Sequence, residues 1–410
     1  MKKIALINCV YKGGKTYLEY LKNILADLLK LEKSSLPQFQ IDFFQPEDEN
    51  FCGISIKDAE EYIQYEINAL KMQGDRVFLD KLFEYDFVFL NNANLLYIFP
   101  EKVCCIYASH GNAAMPTRDK YAFASILSYA DILLFGSLGC LNMTANGISM
   151  YRKNNIYHQN LKQRTYIRKT KICPIFPLKQ SKFFQADNTK IFENKVIYTI
   201  GIMPTHSEVL PTNKLSLYSS FNILINEILR HFINAKIIFR PYPMDYFIDE
   251  KTNIPSTGIP GLIDAFQRFK NTFPNRFFVD SSGNSSSEFF NQCDILITDG
   301  STGGVSFLLN KAMPPIYYIP RNVVNTKINV HNFVELQKDK VLFAHSIKEL
   351  IKQINYCINL TKEQRINYFN NYCEKDLFLD VDNKQVLQNI INKNFDNFPY
   401  VDEKGNVFNI

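Results

Sequence analysis

Short apolar runs alternate along the chain with longer stretches in which apolar residues recur every three or four positions. Residues 4–10, 39–44, 87–91, 103–109 and 131–136 read as strands. Helical spacing fills the gaps at 16–31, 56–72, 75–84 and 121–129. Strands of this kind, separated by amphipathic segments long enough to cross over a sheet, predict parallel βαβ units. Residues 150–195 break the pattern. They are rich in Lys, Arg, Asn and Gln and contain Pro174 and Pro177, the composition of a loop-rich crossing.

The alternation then restarts. Strands are predicted at 196–202, 236–240, 276–280, 294–298, 315–319 and 341–344. Helices are predicted at 217–232, 262–271, 285–292 and 304–310, with three more closing the chain at 347–360, 362–372 and 384–392. The expected architecture is α/β: two tandem Rossmann-like domains facing a cleft, followed by C-terminal helices. Residues 1–185 form the first domain, 186–394 the second, and 395–410 a polar tail.

Composition narrows the function classes. The chain has 410 residues, 46% hydrophobic and 21% charged, so it can bury enough apolar surface to fold and is not a disordered or linker-like protein. A net charge of +5 is small for this length and argues against a nucleic-acid partner. No uncharged stretch approaches the ~20 residues of a membrane span, so membrane contact is expected to be peripheral. The opening MKKIALINCV reads as a buried strand, not a signal peptide, because Lys12 and Lys15 follow the apolar run. Nine scattered Cys with no CxxC spacing predict reduced thiols in a cytoplasmic protein, and no metal or cofactor site.

Four strand ends carry the candidate chemistry. The run from Cys293 to Ser306, CDILITDGSTGGVS, takes a buried strand into Asp299 and then into Gly300, Ser301, Thr302, Gly303 and Gly304 before a helix. Helix N-termini offer unpaired N–H groups and the positive end of the dipole; glycines admit a close ligand, and hydroxyls add donors. This predicts a phosphate cradle, against the plainer reading of an N-capped helix. Arg240, in the Phe239-Arg-Pro-Tyr-Pro243 segment, supplies a guanidinium suited to a diphosphate. His110, in Ile106-Tyr-Ala-Ser-His-Gly-Asn112, stands at another strand end as a candidate base, with Glu101, Asp119 and Asp131 as candidate orienters. Gly13, Gly14 and Lys15 follow the first strand as a candidate acceptor loop. The Walker A pattern fails there, because Cys9 occupies a required glycine position. His206 follows the strand 196–202, while His231, His331 and His345 have no partners at ligand spacing. The basic run Lys162, Arg164, Arg168, Lys169 and Lys171 reads as a solvated face.

These motifs resemble, in order, those of the CDP-glycerol glycerophosphotransferase family of teichoic-acid-type polymerases and primases. Arg240-Pro-Tyr-Pro243 is similar to its Arg-Pro-His-Pro, and the run from Cys293 to Thr302 to its Asp-x-Leu-Ile-Thr-Asp-Tyr-Ser-Ser. Pro314-Pro-Ile-Tyr-Tyr318 is similar to its Pro-Ile-x-Phe-Tyr strand, and His110-Gly111 to its His-Gly. The resemblance covers roughly residues 100–360. It implies a GT-B fold, a cytidine-diphosphate-activated donor and work at the cytoplasmic membrane face without spanning it. By resemblance His110 and Gly111 are catalytic, with His110 deprotonating the acceptor hydroxyl. Arg240, Tyr242, Asp299, Ser301, Thr302 and Gly303 form the donor phosphate site, and Asp299 positions the Ser301 turn. Tyr242 replaces the second His and Gly300 the Tyr of the family pattern, so both departures fall at the donor site. The expected partners are a nucleotide-activated donor and a polysaccharide or lipid-linked acceptor. The alternatives are a GT-B glycosyltransferase using a UDP- or GDP-sugar, a UDP-sugar epimerase, and a non-catalytic nucleotide- or glycan-binding module.

Overall fold

Each strand predicted in the first half becomes a member of one parallel sheet. In a computed structural model these are β1 (Lys2–Ile7), β2 (Phe39–Phe44), β3 (Phe87–Leu90), β4 (Cys104–Ala108) and β5 (Ile132–Phe135). The structure describes residues 2–7, 39–44, 83–91, 99–108, 127–154, 169–175, 197–205, 217–243, 245–248, 254–282, 286–321, 340–378 and 380–409, with single positions between them. The predicted helix at 56–72 lies outside these residues. The helix predicted at 16–31 is represented by Leu21, Ile24, Asp27, Leu28 and Leu31, all helical.

Two elements appear where the polar pattern predicted none. Helix α1 (Leu138–Lys153) follows β5, and β6 (Thr170–Pro174) lies inside the expected loop-rich crossing. β6 pairs in parallel with β5, giving the order β2-β1-β3-β4-β5-β6. Side chains on β1 and β3 alternate between the faces of this sheet. Ala5, Ile7, Val88 and Leu90 pack with Leu141, Ala145 and Ile148 of α1. Ile4, Leu6, Phe87 and Phe89 pack with Leu21, Ile24, Leu28 and Leu31. A sheet covered on both faces needs apolar residues at nearly every strand position, hence the continuous runs in the sequence.

The second sheet consists of β7 (Tyr198–Met203), β8 (Ala235–Phe239), β11 (Phe277–Val279), β12 (Ile295–Thr298), β13 (Ile316–Tyr318) and β14 (Leu342–Ala344). A small antiparallel ribbon, β9 (Phe247–Ile248) with β10 (Pro255–Ser256), interrupts the series. The sheet order is β11-β8-β7-β12-β13-β14, all parallel, which is the Rossmann order counted from β7. Its helices are α2 (Phe221–His231, preceded by a 3-10 turn at Leu217–Ser220), α3 (Leu262–Thr272), α4 (Ser286–Gln292), α5 (Gly303–Lys311), α6 (Ile347–Ile358) and α7 (Lys362–Asp376). Helix α2 buries Phe221, Leu224, Ile225, Ile228 and Leu229, one stripe at helical period. Phe221 meets Phe239, Phe266, Phe269 and Phe277 edge to face, with centroids 4.9 to 6.1 Å apart. This chain has no Trp, and here Phe supplies the bulk of the core.

The chain divides into two units. One is 1–114, 118–181 and 376–410; the other is 182–375 with 115–117. The expected assignment of 376–394 to the second domain is therefore corrected, and the polar tail at 395–410 belongs to the first unit. Helix α8 (Asn383–Ile391) buries Val386, Leu387, Ile390 and Ile391 against the Ile4 and Leu6 face of the first sheet. Strands β15 (Tyr400–Val401) and β16 (Val407–Phe408) extend that sheet antiparallel beyond β6. Polar anchors fix the return. Asp376 accepts hydrogen bonds from Ser137 Oγ (3.0 Å) and Gly139 N–H (2.9 Å) at the start of α1. Buried Arg152 donates to the carbonyls of Val401, Asp402 and Ser128 and to Thr170 Oγ1, each at 2.8 Å. No described helix is long and apolar enough to cross a membrane.

Candidate functional site

In an open parallel sheet, ligands bind outside the carboxyl ends of the strands where the strand order reverses. In the second unit that point lies between β7 and β12, which are neighbours. β7 leads into Pro204 and Thr205, and β12 into Asp299 and the Ser301 turn. The motif with the richest sequence signal therefore sits at the topological switch point.

Asp299 is fully buried. One carboxylate oxygen accepts from Thr205 N–H (2.8 Å), and the other from Leu217 N–H (3.0 Å). Burial pushes its carboxyl up to about 7, against the pull of N–H groups from Leu217, Thr205, Gly300 and Asp299 itself. Asp299 thus secures the chain after β7 and the start of the 3-10 turn. The sequence reading had it position the Ser301 turn.

Beyond the Gly300 N–H bond to Asp299, that turn is held by other groups. Ser301 Oγ accepts from Gly303 N–H (3.1 Å), and the Ser301 carbonyl accepts from Gly304 N–H (3.3 Å) and the Tyr317 hydroxyl (2.9 Å). Thr302 precedes α5 in helical conformation and makes no side-chain cap bond. Ser301 and Thr302 are both half-exposed and stand at the positive end of α5. The glycines have a role the sequence did not disclose. A Cβ on Gly303 would lie 1.8 Å from Met203 Cε, and one on Gly304 would lie 2.4 Å from Tyr317 Oη. Packing inside the unit demands Gly304, independently of any ligand, whereas at Gly303 the flexible end of Met203 can give way.

Arg240 follows β8, and its guanidinium is mostly enclosed. It lies 3.4 Å from the Asp280 carboxylate, with the two side chains 11% and 12% exposed, and 5.3 Å from the centre of the Phe289 ring. Burial pulls the guanidinium below its usual value, and Asp280 opposes that pull. Strand β8 is two strands from β12, a separation of about 10 Å at ordinary strand spacing. Tyr242 is fixed through its backbone. Its N–H donates to Tyr218 Oη (2.9 Å), and its carbonyl accepts from Asp245 (2.9 Å) and Tyr246 (3.2 Å). The Tyr218 hydroxyl also bonds the Asp245 carboxyl, which is 2% exposed.

In the first unit the candidates His110, Gly111, Gly13, Gly14 and Lys15 lie outside the described residues, as do Asp119 and His206. Two candidate orienters, Asp131 and Glu101, are described. Asp131 accepts from Cys105 N–H (2.7 Å) at the amino end of β4, and Glu101 is an exposed residue ahead of that strand. About 10 Å of strand separates Cys105 from Ala108, where β4 ends on the ligand-facing edge.

Sequence reasoning missed Tyr218, Asp245 and Asp280, and gave Tyr317 no role although it lies in the Pro314–Tyr318 motif. Asp280 carried a signal as an acid closing a predicted strand; Tyr218 and Asp245 join the site through tertiary contact. His345 makes structural hydrogen bonds: its Nδ1 lies 2.8 Å from the Ile319 carbonyl, and its backbone N–H donates to Glu349 (2.7 Å).

No family model matches the chain, and no curated protein matches it by sequence. Solved structures do. The UDP-GlcNAc 2-epimerase of Methanocaldococcus jannaschii, in complex with UDP-GlcNAc and UDP, is 12% identical over 96% of this chain and 100% of its own, with a TM-score of 0.52. UGT2 of Phytolacca americana, complexed with UDP-2-fluoro-glucose and pterostilbene, is 10% identical over 96% and 99%, with a TM-score of 0.52. The fold is GT-B. Structural neighbours of this GT-B chain also include the wall teichoic acid polymerase TagF, 13% identical over 96% of this chain and 89% of that one, with a TM-score of 0.49.

Proposed function

We propose that this protein is a transferase. It moves a glycosyl or polyol-phosphate group from a nucleotide-activated donor to a hydroxyl of a surface polysaccharide or teichoic-like acceptor. One observation carries the reading: half-exposed Ser301 and Thr302 stand at the positive end of α5, at the switch point of the second unit, with the Arg240 guanidinium two strands away. During transfer, negative charge grows on the leaving diphosphate. Fixed hydroxyls, a helix N-terminus and a guanidinium at that edge favour the charge where it develops. Arg240 suits this task because it is already enclosed and oriented by Asp280, so little freedom is lost when an anion arrives. In this reading His110 takes the acceptor proton, a step worth ~100- to 10,000-fold in rate. Gly13, Gly14 and Lys15 meet the acceptor, and the protein works at the inner membrane face as a peripheral enzyme.

The cytidine donor rests on the motif resemblance. A uridine donor is the second reading, favoured by the ligands of the two structures with TM-scores of 0.52, both solved with uridine diphosphate sugars. Thermal unfolding against CDP-glycerol, UDP-GlcNAc, UDP-glucose and a GDP-sugar separates them, since a ligand at 100 times its dissociation constant adds about 2.7 kcal/mol. Stabilisation by CDP-glycerol alone supports the first reading, and stabilisation by a UDP-sugar the second. Silence from all four refutes a donor site at Ser301.

A further inference from the structure

One buried carboxylate at the switch point ties together parts of the chain far apart in sequence. Asp299 receives Thr205 N–H and Leu217 N–H on its two oxygens. Leu217 opens the turn that carries Tyr218, and the Tyr218 hydroxyl receives Tyr242 N–H, in the loop that begins at Arg240. The strut runs from the end of β12, through the chain after β7, to the loop after β8. Those are the three strand ends that the proposed donor site uses.

We propose that Asp299 is a positioning residue: its ionised carboxylate holds the chain after β7 and the Tyr218 turn in donor-binding form, and its protonation releases one of the two. A carboxylate offers an acceptor oxygen to each N–H. A carboxylic acid offers one carbonyl oxygen and one hydroxyl, so one N–H loses a good acceptor. The inference rests on the donor reading above. Among the described residues, the ionisable groups facing Asp299 are Tyr218 on the turn and Tyr317 on β13, both phenols that burial raises further from neutrality. Asp245 reaches it only through Tyr218. Among the described groups of this strut, the carboxyl of Asp299 is the one that burial pushes toward neutrality, up to about 7.

The test measures calorimetric affinity for UDP-glucose and CDP-glycerol at about pH 6 and about pH 8. These are diphosphate diesters, free of the secondary phosphate ionisation near ~6. One unit below its midpoint, roughly one carboxyl in eleven is ionised, so wild-type affinity is expected to be about tenfold weaker at the lower pH. Asp299→Asn offers a single acceptor and is expected to bind weakly and equally at both. Stability gives the contrasting readout. A carboxyl raised toward neutrality contributes stability that is lost as pH rises through about 7, so acid favours the fold while it weakens binding. A merely structural Asp299 would move both in the same direction.

Equal wild-type affinity at the two pH values, or the same slope in Asp299→Asn, overturns the proposal. So does tighter binding in acid, which would show direct repulsion between Asp299 and the diphosphate to be the larger effect. If neither diester binds at either pH, the donor reading fails. The strut is then judged by amide hydrogen exchange at Thr205 and Leu217, corrected for the intrinsic rate. Protection lower at pH 6 than at pH 8 in the wild type alone supports it, and unchanged protection overturns it. Should Asp299→Asn fail to fold, the wild-type series decides by itself.

Discussion

Gly304→Ala tests whether the glycines of the Ser301 turn serve packing or ligand approach. The added Cβ would meet Tyr317 at Oη (2.4 Å), Cζ (2.7 Å) and Cε2 (2.9 Å), and Tyr317 is only 1% exposed. Overpacking of this kind costs about 1–3 kcal/mol. Relief by moving the ring sacrifices the hydrogen bond from Tyr317 to the Ser301 carbonyl, about 1 kcal/mol more. The helical preference of Ala over Gly returns about 1 kcal/mol. The net loss is about 2 kcal/mol, equal to a fall of about 4–8 °C in the melting temperature of a unit this size. Gly303→Ala is the control. Its Cβ meets Met203 Cε, the free end of a flexible side chain that can swing aside, so the net change is within about 1 kcal/mol of zero. Thermal unfolding followed by circular dichroism and calorimetry measures both. The packing argument is refuted if Gly304→Ala melts with the wild type, and more so if both variants keep their stability and lose nucleotide binding.

Arg240→Ala removes the guanidinium and leaves the Asp280 carboxyl without its cation. Nucleotide affinity is expected to fall about tenfold or more in calorimetry, with Arg240→Lys intermediate because it keeps charge but not the planar fork. Arg152→Met removes four donated hydrogen bonds at about 1 kcal/mol each, so urea unfolding should show a loss of about 4 kcal/mol. Limited proteolysis of that variant should cut first near 400–409. His110→Ala is expected to lower transfer by ~100- to 10,000-fold at unchanged nucleotide affinity; near-full turnover would remove His110 from the role of base.

The central strands were legible because they are parallel and covered on both faces, so burial writes itself as unbroken runs such as Ile4–Leu6 and Ile295–Ile297. Helix α1 was not. Its inward face is Leu141, Ala145 and Ile148, and the positions between hold Gly, Asn, Thr and Ser, residues that favour turns as readily as helices. β6 is short and flanked by Lys and Arg, and only its pairing with β5 and β15 makes it a strand. The destination of the C-terminus was illegible for the same reason. The stripe Val386, Leu387, Ile390 and Ile391 announces a helix but not which sheet it covers. At the site, the local motif at Ser301 could be read from the turn residues themselves. The bond from Asp299 to Thr205 and Leu217, and that from Tyr218 to Tyr242, join residues 24 to 94 positions apart, and no local pattern encodes them.

Those distant bonds explain how a proposed diphosphate site tolerates three nearby carboxyl groups. An uncompensated carboxylate beside a diphosphate would repel it, more strongly where water is excluded. Each acid at this edge is instead engaged from within. Asp299 faces backbone N–H groups, Asp280 faces Arg240 and the N–H and hydroxyl of Ser282, and Asp245 faces Tyr218. The half-exposed groups at the turn are the hydroxyl residues Ser301 and Thr302. The acids thus act as an inner layer that fixes the loops, and the donors that an anion can use form the outer one. Replacing an inner acid should therefore change loop geometry before it changes charge at the ligand. That is why a substitution as small as Asp299→Asn is expected to weaken binding, although it removes a negative charge from the neighbourhood of an anion.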